Sequence, residues 1–424
     1  MNDTIIIHVP VRNEFVKQTG SLYSIVGEVA HYGVRAVSDV RFDIDENKIV
    51  TVGELKHPFE SLPSSFDGMA MKFYSHRVAN TRPYVALNAS YKFIQGHNVF
   101  GGDEIVHLVA EMFTTLKNFY PYLYAFLDIE NASISRIDCT YSAQLSNPDL
   151  VQPALRFLSN ISNGHRKSDK DKRDFYNTVY YGGRTSNWGN AVIYGKGSEL
   201  SDIVKNLQKR AKLGCTQSAK KLTIFTPELQ AFSNTLLRFE ARSKRRTLEK
   251  LLIPTNVWQF IRYQQQHPNV LRTLWQYWFK PVFDAMKGKV MTTEVDDSNV
   301  RQLCRDKLFT VTKSGRVSYT KAENAFAFYE LLKKNGWVAM KERYKDNPRT
   351  FNINVKSLVD VGIPRAHLQN LKQDIGKEVP LIRLINMDFN AQSPVSYQPA
   401  ISVHVDDFYS LIYPTAPLPL RLIA

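Results

Sequence analysis

The sequence predicts an α+β fold: a β-rich portion with a central antiparallel sheet, followed by a mostly helical C-terminal region. Two segments carry most of that reading, SISRIDCTYSA at 133–143 and LLRFEARSKRR at 236–246, because both alternate apolar and polar residues with the two-residue period of a half-buried strand. After Arg246 the apolar positions change to helical spacing, with Trp258, Phe260, Trp275, Trp278, Phe279 and Phe283 placed for burial. A chain of 424 residues exceeds one compact core. The composition shifts place domains at 1–250, 251–290 and 291–424.

Residues 1–104 read as strands and loops: TIIIHVPV at 4–11, a turn-rich stretch at 57–68, MAMKFYS at 69–75 and YVALNASYKF at 84–93. From Ile105 to Leu127 the positions Val106, Val109, Met112, Phe113 and Leu116 recur at helical spacing, and Pro121 kinks or ends that helix. The SRIDC strand follows, then a helix near 149–162 and a charged stretch at 163–174 that reads as an exposed loop. DFYNTVYY at 174–181 and NAVIYG at 190–195 form a hairpin around Gly182 and Gly183. A basic helix near 199–212 comes next, and Thr226-Pro227-Glu228 starts another that leads into the RFEAR strand. Polar residues near Met291 mark a boundary. Beyond it the pattern predicts a hairpin at 309–320, a helix capped by Thr320 and Glu323 that ends before Gly336, and a helix over 348–361. VGIPRAHLQNL fits the second half of a helix-turn-helix, and the proline-rich end of the chain reads as extended.

The net charge of +15 is concentrated, since residues 151–250 hold 20 Lys and Arg against 8 Asp and Glu. A local surplus of that size is the footprint of a polyanion, most often nucleic acid. No hydrophobic run is long enough to span a bilayer, and Asp3 stands where a signal peptide would be basic, so a cytosolic protein is expected. Cys139, Cys215 and Cys304 are too few and too scattered for a disulfide framework or a structural zinc site. Neither His-x-His nor His-Glu-x-x-His occurs, and neither does a phosphate-binding Gly-x-x-x-x-Gly-Lys-Ser/Thr loop.

Strand alternation places Arg136, Asp138 and Thr140 on one face of the first segment, and Arg238, Glu240 and Arg242 on one face of the second. If both faces share one side of a sheet, Asp138 and Glu240 supply hard oxygen donors for Mg²⁺, with Mn²⁺ able to substitute, and the arginines hold phosphates. The competing reading is a pair of amphipathic strands whose carboxylates only pair with Arg136, Arg238 or Arg242. Arg184 and the run Lys244-Arg245-Arg246 are further candidates for phosphate contacts, or equally a solvated basic face.

HPFESLP at 57–63, QGHNVFGG at 95–102, ISRIDCTYSA at 134–143, ISNG at 161–164, RFEAR at 238–242 and GIPRAHLQNL at 362–371 occur in an order and spacing that resembles the gene II family of filamentous-phage replication initiators. The resemblance covers essentially the whole chain. It implies a rolling-circle initiator, a site-specific nickase of a β-rich catalytic domain. Such an enzyme binds the double-stranded phage origin, nicks the viral strand through a tyrosine-5′-phosphate, leaves a 3′-hydroxyl primer, and later cuts and rejoins the displaced single strand. It implies host helicase and polymerase as partners, self-association on the origin, and the host bacterial cytoplasm as location. By the same resemblance the nucleophile is Tyr194, which precedes a Lys and an acidic residue as in the family, with Tyr180 and Tyr181 in reserve. Gly195 and Gly197 would let DNA approach, Lys196 would pair with a phosphate, and His57 and His97 would be second-tier ligands. The family also makes a shorter gene X protein from an internal start, placed here at Met291, which would leave the C-terminal region as a DNA-binding unit. The reading from another class is a non-catalytic regulator that binds origin or single-stranded DNA.

Overall fold

The computed structural model describes residues 1–26, 32–43, 48–75, 80–163, 166–169, 177–183, 185–287, 297–371, 385–406 and 408–412. Arg184, Met291 and the proline-rich end of the chain lie outside them. Strands β1 (Asn2–Pro10), β6 (Glu60–Pro63), β7 (Gly68–Tyr74), β8 (Tyr84–Ser90), β9 (Ser133–Gln144), β10 (Ser162–Asn163), β11 (Arg166–Asp169), β12 (Thr178–Tyr181), β13 (Gly189–Gly195) and β14 (Leu236–Lys244) build one sheet. Their order is β10-β11-β12-β13-β14-β9-β1-β8-β7-β6, and every pairing is antiparallel. The numbers between belong to two separate hairpins, β2 (Val16–Thr19) with β3 (Leu22–Ile25) and β4 (Val37–Asp43) with β5 (Lys48–Lys56). The predicted α+β arrangement is thus present.

Alternation fixes which side chains face the core. Ile5, Ile7 and Val9 of β1, Ile137, Cys139 and Tyr141 of β9, and Leu237, Phe239 and Ala241 of β14 are buried in one cluster. Helices α1 (Ile105–Phe119), α6 (Val257–Gln266) and α7 (Val270–Met286) contribute to the same cluster. The tryptophans pin α6 and α7 through polar as well as apolar contacts. Trp275 Nε1 donates to the Phe239 carbonyl at 3.0 Å, Trp278 Nε1 to Ser243 Oγ at 2.9 Å, and Trp258 Nε1 to the Ile129 carbonyl at 2.7 Å. Residues 251–286 therefore pack as a layer of the sheet's own core.

Pro121 does end a helix: α1 stops at Phe119, and α2 (Pro121–Phe126) starts again with the proline in its first turn, where its missing N–H costs nothing. The helix near 149–162 is α3 (Val151–Ser159), and the basic helix is α4 (Lys196–Lys212). Thr226 caps α5 (Pro227–Asn234) by accepting the Leu229 N–H at 3.2 Å. The stretch expected as a loop from 163 instead begins with β10 and β11, which add edge strands to the sheet.

A second core unites α8 (Asp297–Leu308), α9 (Thr320–Asn335), α10 (Pro348–Asp360) and α11 (Arg365–Asn370), around Cys304, Phe328, Leu332, Phe351, Val355, Leu358 and Leu368. The predicted hairpin is present as Thr310–Val311 paired with Val317–Ser318. The capping box at Thr320 does not form. Thr320 is already helical, and Glu323 is taken by Arg301 at 2.8 Å and Arg305 at 2.7 Å. The helix-turn-helix reading is also revised. Arg365, at the start of the helix where a recognition helix would meet bases, and Gln369 both bond Ser162, and Asn370 bonds the Phe157 carbonyl, so α11 docks on the sheet domain along its length.

After residue 385 the chain returns to the first core. Gln392 occupies both backbone groups of Ser142, accepting its N–H at 2.6 Å and donating to its carbonyl at 3.0 Å. Phe389 packs edge-on against Tyr141, 4.9 Å between centroids, beneath the Arg272 guanidinium at 3.8 Å.

Candidate active site

The register of β9 and β14 sets Arg242 opposite Asp138, Glu240 opposite Thr140, Arg238 opposite Ser142 and Lys244 opposite Arg136. Directly opposed residues share a face, so the two polar faces predicted separately are one. β13 extends it, with Asn190 opposite Arg242, Val192 opposite Glu240 and Tyr194 opposite Arg238. On the other side Thr4 of β1 lies opposite Asp138.

Each carboxylate is held by an arginine of its own strand. Arg136 grips Asp138 with two bonds of 2.8 and 2.5 Å, and Arg242 Nε donates to Glu240 Oε1 at 2.6 Å. Both carboxylates are buried, Asp138 at 1% exposed and Glu240 at 4%, while the arginines stay half-buried at the surface. Burial pushes the Asp138 carboxyl up to about 6 despite Arg136, and the nearby Glu240 charge adds to that rise.

The second oxygen of Glu240 meets the candidate nucleophile. The Tyr194 hydroxyl donates to Glu240 Oε2 at 3.1 Å. Desolvation, then the Glu240 charge, holds the phenol well above its usual value, against the nearby Arg238 cation. A phenol in this setting keeps its proton until a base takes it, and the carboxylate positioned to do so is the one it already touches.

Behind Tyr194 lies a layer of buried charge. Lys196 is fully buried, with Nζ on Asn98 Oδ1 at 2.9 Å and on Glu199 Oε2 at 2.7 Å, and 5.9 Å from the Tyr194 ring centroid. Burial and the Arg238 cation lower its pKa to about 8, while Lys196 and Lys92 hold Glu199 down to about 2. Arg238 is fully buried too, donating to the carbonyls of Asn98 at 2.5 Å and Val99 at 2.8 Å and facing Asp3 at 3.5 Å. Neither cation reaches a phosphate from the surface. Arg238 ties the QGHNVFGG loop to the strand that carries Glu240 and Lys196 ties it to the start of α4, which corrects the expectation of direct phosphate contacts. The glycines flanking Lys196 are explained by packing. A Cβ on Gly195 would meet Val151 Cγ1 at 2.7 Å, and one on Gly197 would meet Asn234 Cα at 2.6 Å.

The remaining candidates divide by position. Tyr180 is half-buried on the polar face, opposite Val192, and its phenol interacts with Arg242. Tyr181 points the other way, fully buried with its hydroxyl on the Leu158 carbonyl, out of reach of DNA. Arg245 and Arg246 are exposed, and Arg245 Nε also pairs with Glu249 at 2.7 Å. His97 is buried beside Lys196 and Arg238, which together with desolvation lower its pKa to about 4, an unsuitable neighbourhood for a metal cation. His57 sits at the β6 edge of the sheet, its Nδ1 3.0 Å from the Arg35 carbonyl and its ring edge-on to Phe73. Among the described residues no group of three or more His, Cys, Asp and Glu is arranged to hold a metal. Asp138 and Glu240 remain as a pair of oxygen donors, a set that suits Mg²⁺ when substrate phosphate and water complete its shell.

Sequence reasoning missed Asn98 and Asp3, whose roles depend on distant chain segments closing on Lys196 and Arg238, and a row of aromatics on the polar face. Only the alternation in IIIHVP, which sets His8 on the side of Thr4, hints at that row.

No helix among the described residues is long and apolar enough to cross a membrane. The family model for the N-terminal part of the phage replication-associated protein, the gene II product, matches residues 1–267, and the model for its C-terminal part matches residues 311–402. The replication-associated protein of Salmonella phage IKe is 34% identical over 418 residues, which cover 95% of this chain and 97% of that protein. Those of Enterobacteria phages M13 and fd are each 35% identical over 372 residues, 86% of this chain and 88% of theirs. No solved structure matches the chain. The chain belongs to the gene II family of phage replication-associated proteins.

Proposed function

We propose that this protein initiates rolling-circle replication of a phage genome by nicking one strand of the double-stranded origin with Tyr194. The observation that carries the reading is the Tyr194 to Glu240 hydrogen bond at 3.1 Å, on a sheet face that also presents Asp138, Arg136 and Arg242. The names of the relatives, replication-associated proteins, support the biological setting. In the reaction Glu240 accepts the phenolic proton and the Tyr194 oxygen bonds to phosphorus. The bond from phosphorus to the 3′ oxygen breaks, and that oxygen takes a proton to become the primer hydroxyl. Arg136 and Arg242, now on the two carboxylates, would turn to the phosphate and hold it in line. Asp138 and Glu240 would hold Mg²⁺, which when bound supplies neutralisation of charge developing on the phosphoryl oxygens. The tyrosine ester conserves the bond energy, so a second attack by a 3′ hydroxyl closes the displaced strand into a circle. Unwinding and synthesis fall to host enzymes in the bacterial cytoplasm.

A second reading, a non-catalytic DNA-binding regulator, is favoured by one observation: each carboxylate is already matched by an arginine. Supercoiled DNA carrying the cognate origin, incubated with Mg²⁺ or chelator, separates the two. Wild type should give nicked circles and protein-linked 5′ ends only with Mg²⁺. Tyr194→Phe should give neither while still binding DNA, and Glu240→Gln should slow nicking by roughly 10²–10⁴-fold. Origin binding by wild type without nicking would establish the regulator instead. Nicking that survives in Tyr194→Phe would move the nucleophile to Tyr180.

A further inference from the structure

The polar face of the sheet continues past the carboxylates. Beyond Arg136 and Lys244 it opens into a groove of about 1070 Å³ between β1, β8 and the β2–β3 hairpin, lined among others by His8, Tyr23, Tyr84, Arg82 and Arg245. Three neighbouring strands each give this face one aromatic ring. His8 of β1 stacks on Tyr84 of β8 with centroids 4.3 Å apart and planes 26° apart, and Tyr84 stacks on Tyr74 of β7 at 4.9 Å and 17°. All three rings are half-buried, and the buried cluster on this side of the sheet, around Val99, Phe100, Leu200 and Leu236, lies at the other end of β14, away from them. Burial, then the Arg245 charge, lowers the His8 pKa to about 4, so at neutral pH the imidazole is an uncharged stacking surface. Asp128, the carboxylate among the lining residues, is paired with Arg82 at 3.3 Å, and the other cation lining the groove is Arg245, which is exposed and carries Glu249 on its Nε at 2.7 Å.

We propose that this groove binds a short run of unpaired nucleotides of single-stranded DNA beside the scissile phosphate, with bases stacking on the His8 and Tyr84 platform and phosphates tracked by Arg245 and Lys244. The inference rests on the nicking reading for the identity of the nucleic acid. Single-stranded DNA is favoured over duplex because aromatic faces engage bases only when they are unstacked, and because rings interleaved with cations are how strands are held without sequence readout. Lys244, opposite Arg136, and Arg245, next in the chain, lead from the candidate active site into the groove. A strand lying there enters or leaves the site along its own sheet face.

The test uses the full chain and a fluorescein-labelled oligothymidylate of roughly 12 nucleotides, with a labelled duplex of equal length, followed by anisotropy over a range of salt. Tyr84→Ala should weaken single-strand binding by about 5–100-fold and duplex binding far less, while Tyr84→Phe, which keeps the ring, should stay within about twofold of wild type. Arg245→Ala should reduce the salt slope for the single strand by about 0.7. Ultraviolet crosslinking of wild type to the same strand carrying 5-iododeoxyuridine covers the case in which Tyr84→Ala fails to fold, and crosslinks should fall on peptides containing His8, Tyr23 or Tyr84. Unchanged affinity in a folded Tyr84→Ala, equal losses for duplex and single strand, or crosslinks confined elsewhere would each overturn the groove assignment. The readout is binding, so the two failures are distinct. If wild type never nicks yet Tyr84→Ala loses single-strand affinity, the groove stands and the nicking reading fails. If nicking is intact while Tyr84→Ala binds as wild type, the groove alone fails.

Discussion

Burial sets the protonation of the single residues that matter most here. His97 lies edge-on to Phe100 and feels the cations Lys196 and Arg238, with Nδ1 lacking a hydrogen-bond partner among the described residues. Its pKa is about 4 in the fold against 6.5 in the unfolded chain. As pH falls through 6.5 the unfolded state takes the proton first, so stability present above that value is lost progressively until about 4. The loss from this one group is on the order of 3 kcal/mol. Urea denaturation should show His97→Phe losing less stability than wild type between pH 7 and 4.5, by about 2 kcal/mol; equal losses would mean that His97 protonates freely in the fold. The same burial explains why the phosphate roles expected for Lys196 and Arg238 did not hold. Sequence shows the charge of a residue, but only the closed loop at 97–99 shows that the charge is spent on carbonyls and amides.

Among elements, the junction between β13 and α4 is closely packed. Gly195, next after Tyr194, ends the strand, Lys196 opens the helix, and Gly197 packs its backbone against Asn234 of α5. Gly197→Ala forces a Cβ into the Asn234 backbone and should cost about 1–3 kcal/mol, whereas Gly183→Ala meets nothing within 4 Å and should be neutral. Urea midpoints of the two variants check the contrast, and a silent Gly197→Ala would show that α5 yields. Elements were the most legible part of this chain. Alternation in SRIDCTYSA and RFEARSK, Pro121, and Thr226-Pro227 each dictated a local geometry that the fold keeps. The failures share one cause, competition from distant partners. Glu323 could cap its own helix or join two arginines of α8, and the arginines won; α11 could present its polar side chains to DNA, and Ser162 and Phe157 took them. The common polar face of β9 and β14 was foreseeable only as a condition, since pairing and register are set by the whole sheet.

Across the whole molecule, the decisive contact joins the segment that returns after residue 385 to β9. β1 stops pairing with β9 at Cys139, so among the described strands the far end of β9 lacks a neighbour on that side, and Gln392 supplies the missing donor and acceptor to Ser142. Gln392→Ala leaves two buried backbone groups unpaired and should destabilise the sheet domain by about 2 kcal/mol, read by denaturation of the full chain. An unchanged midpoint would mean that water or a neighbouring group replaces the amide. This contact also sets a clock. About 100 residues separate α7 from the segment that returns, and at about 5–20 residues per second a ribosome needs roughly 5–20 s to make them. Until then the strand bearing Asp138 is exposed at one end on a nascent chain, so the site reaches its final form only once the segment carrying Gln392 has been made.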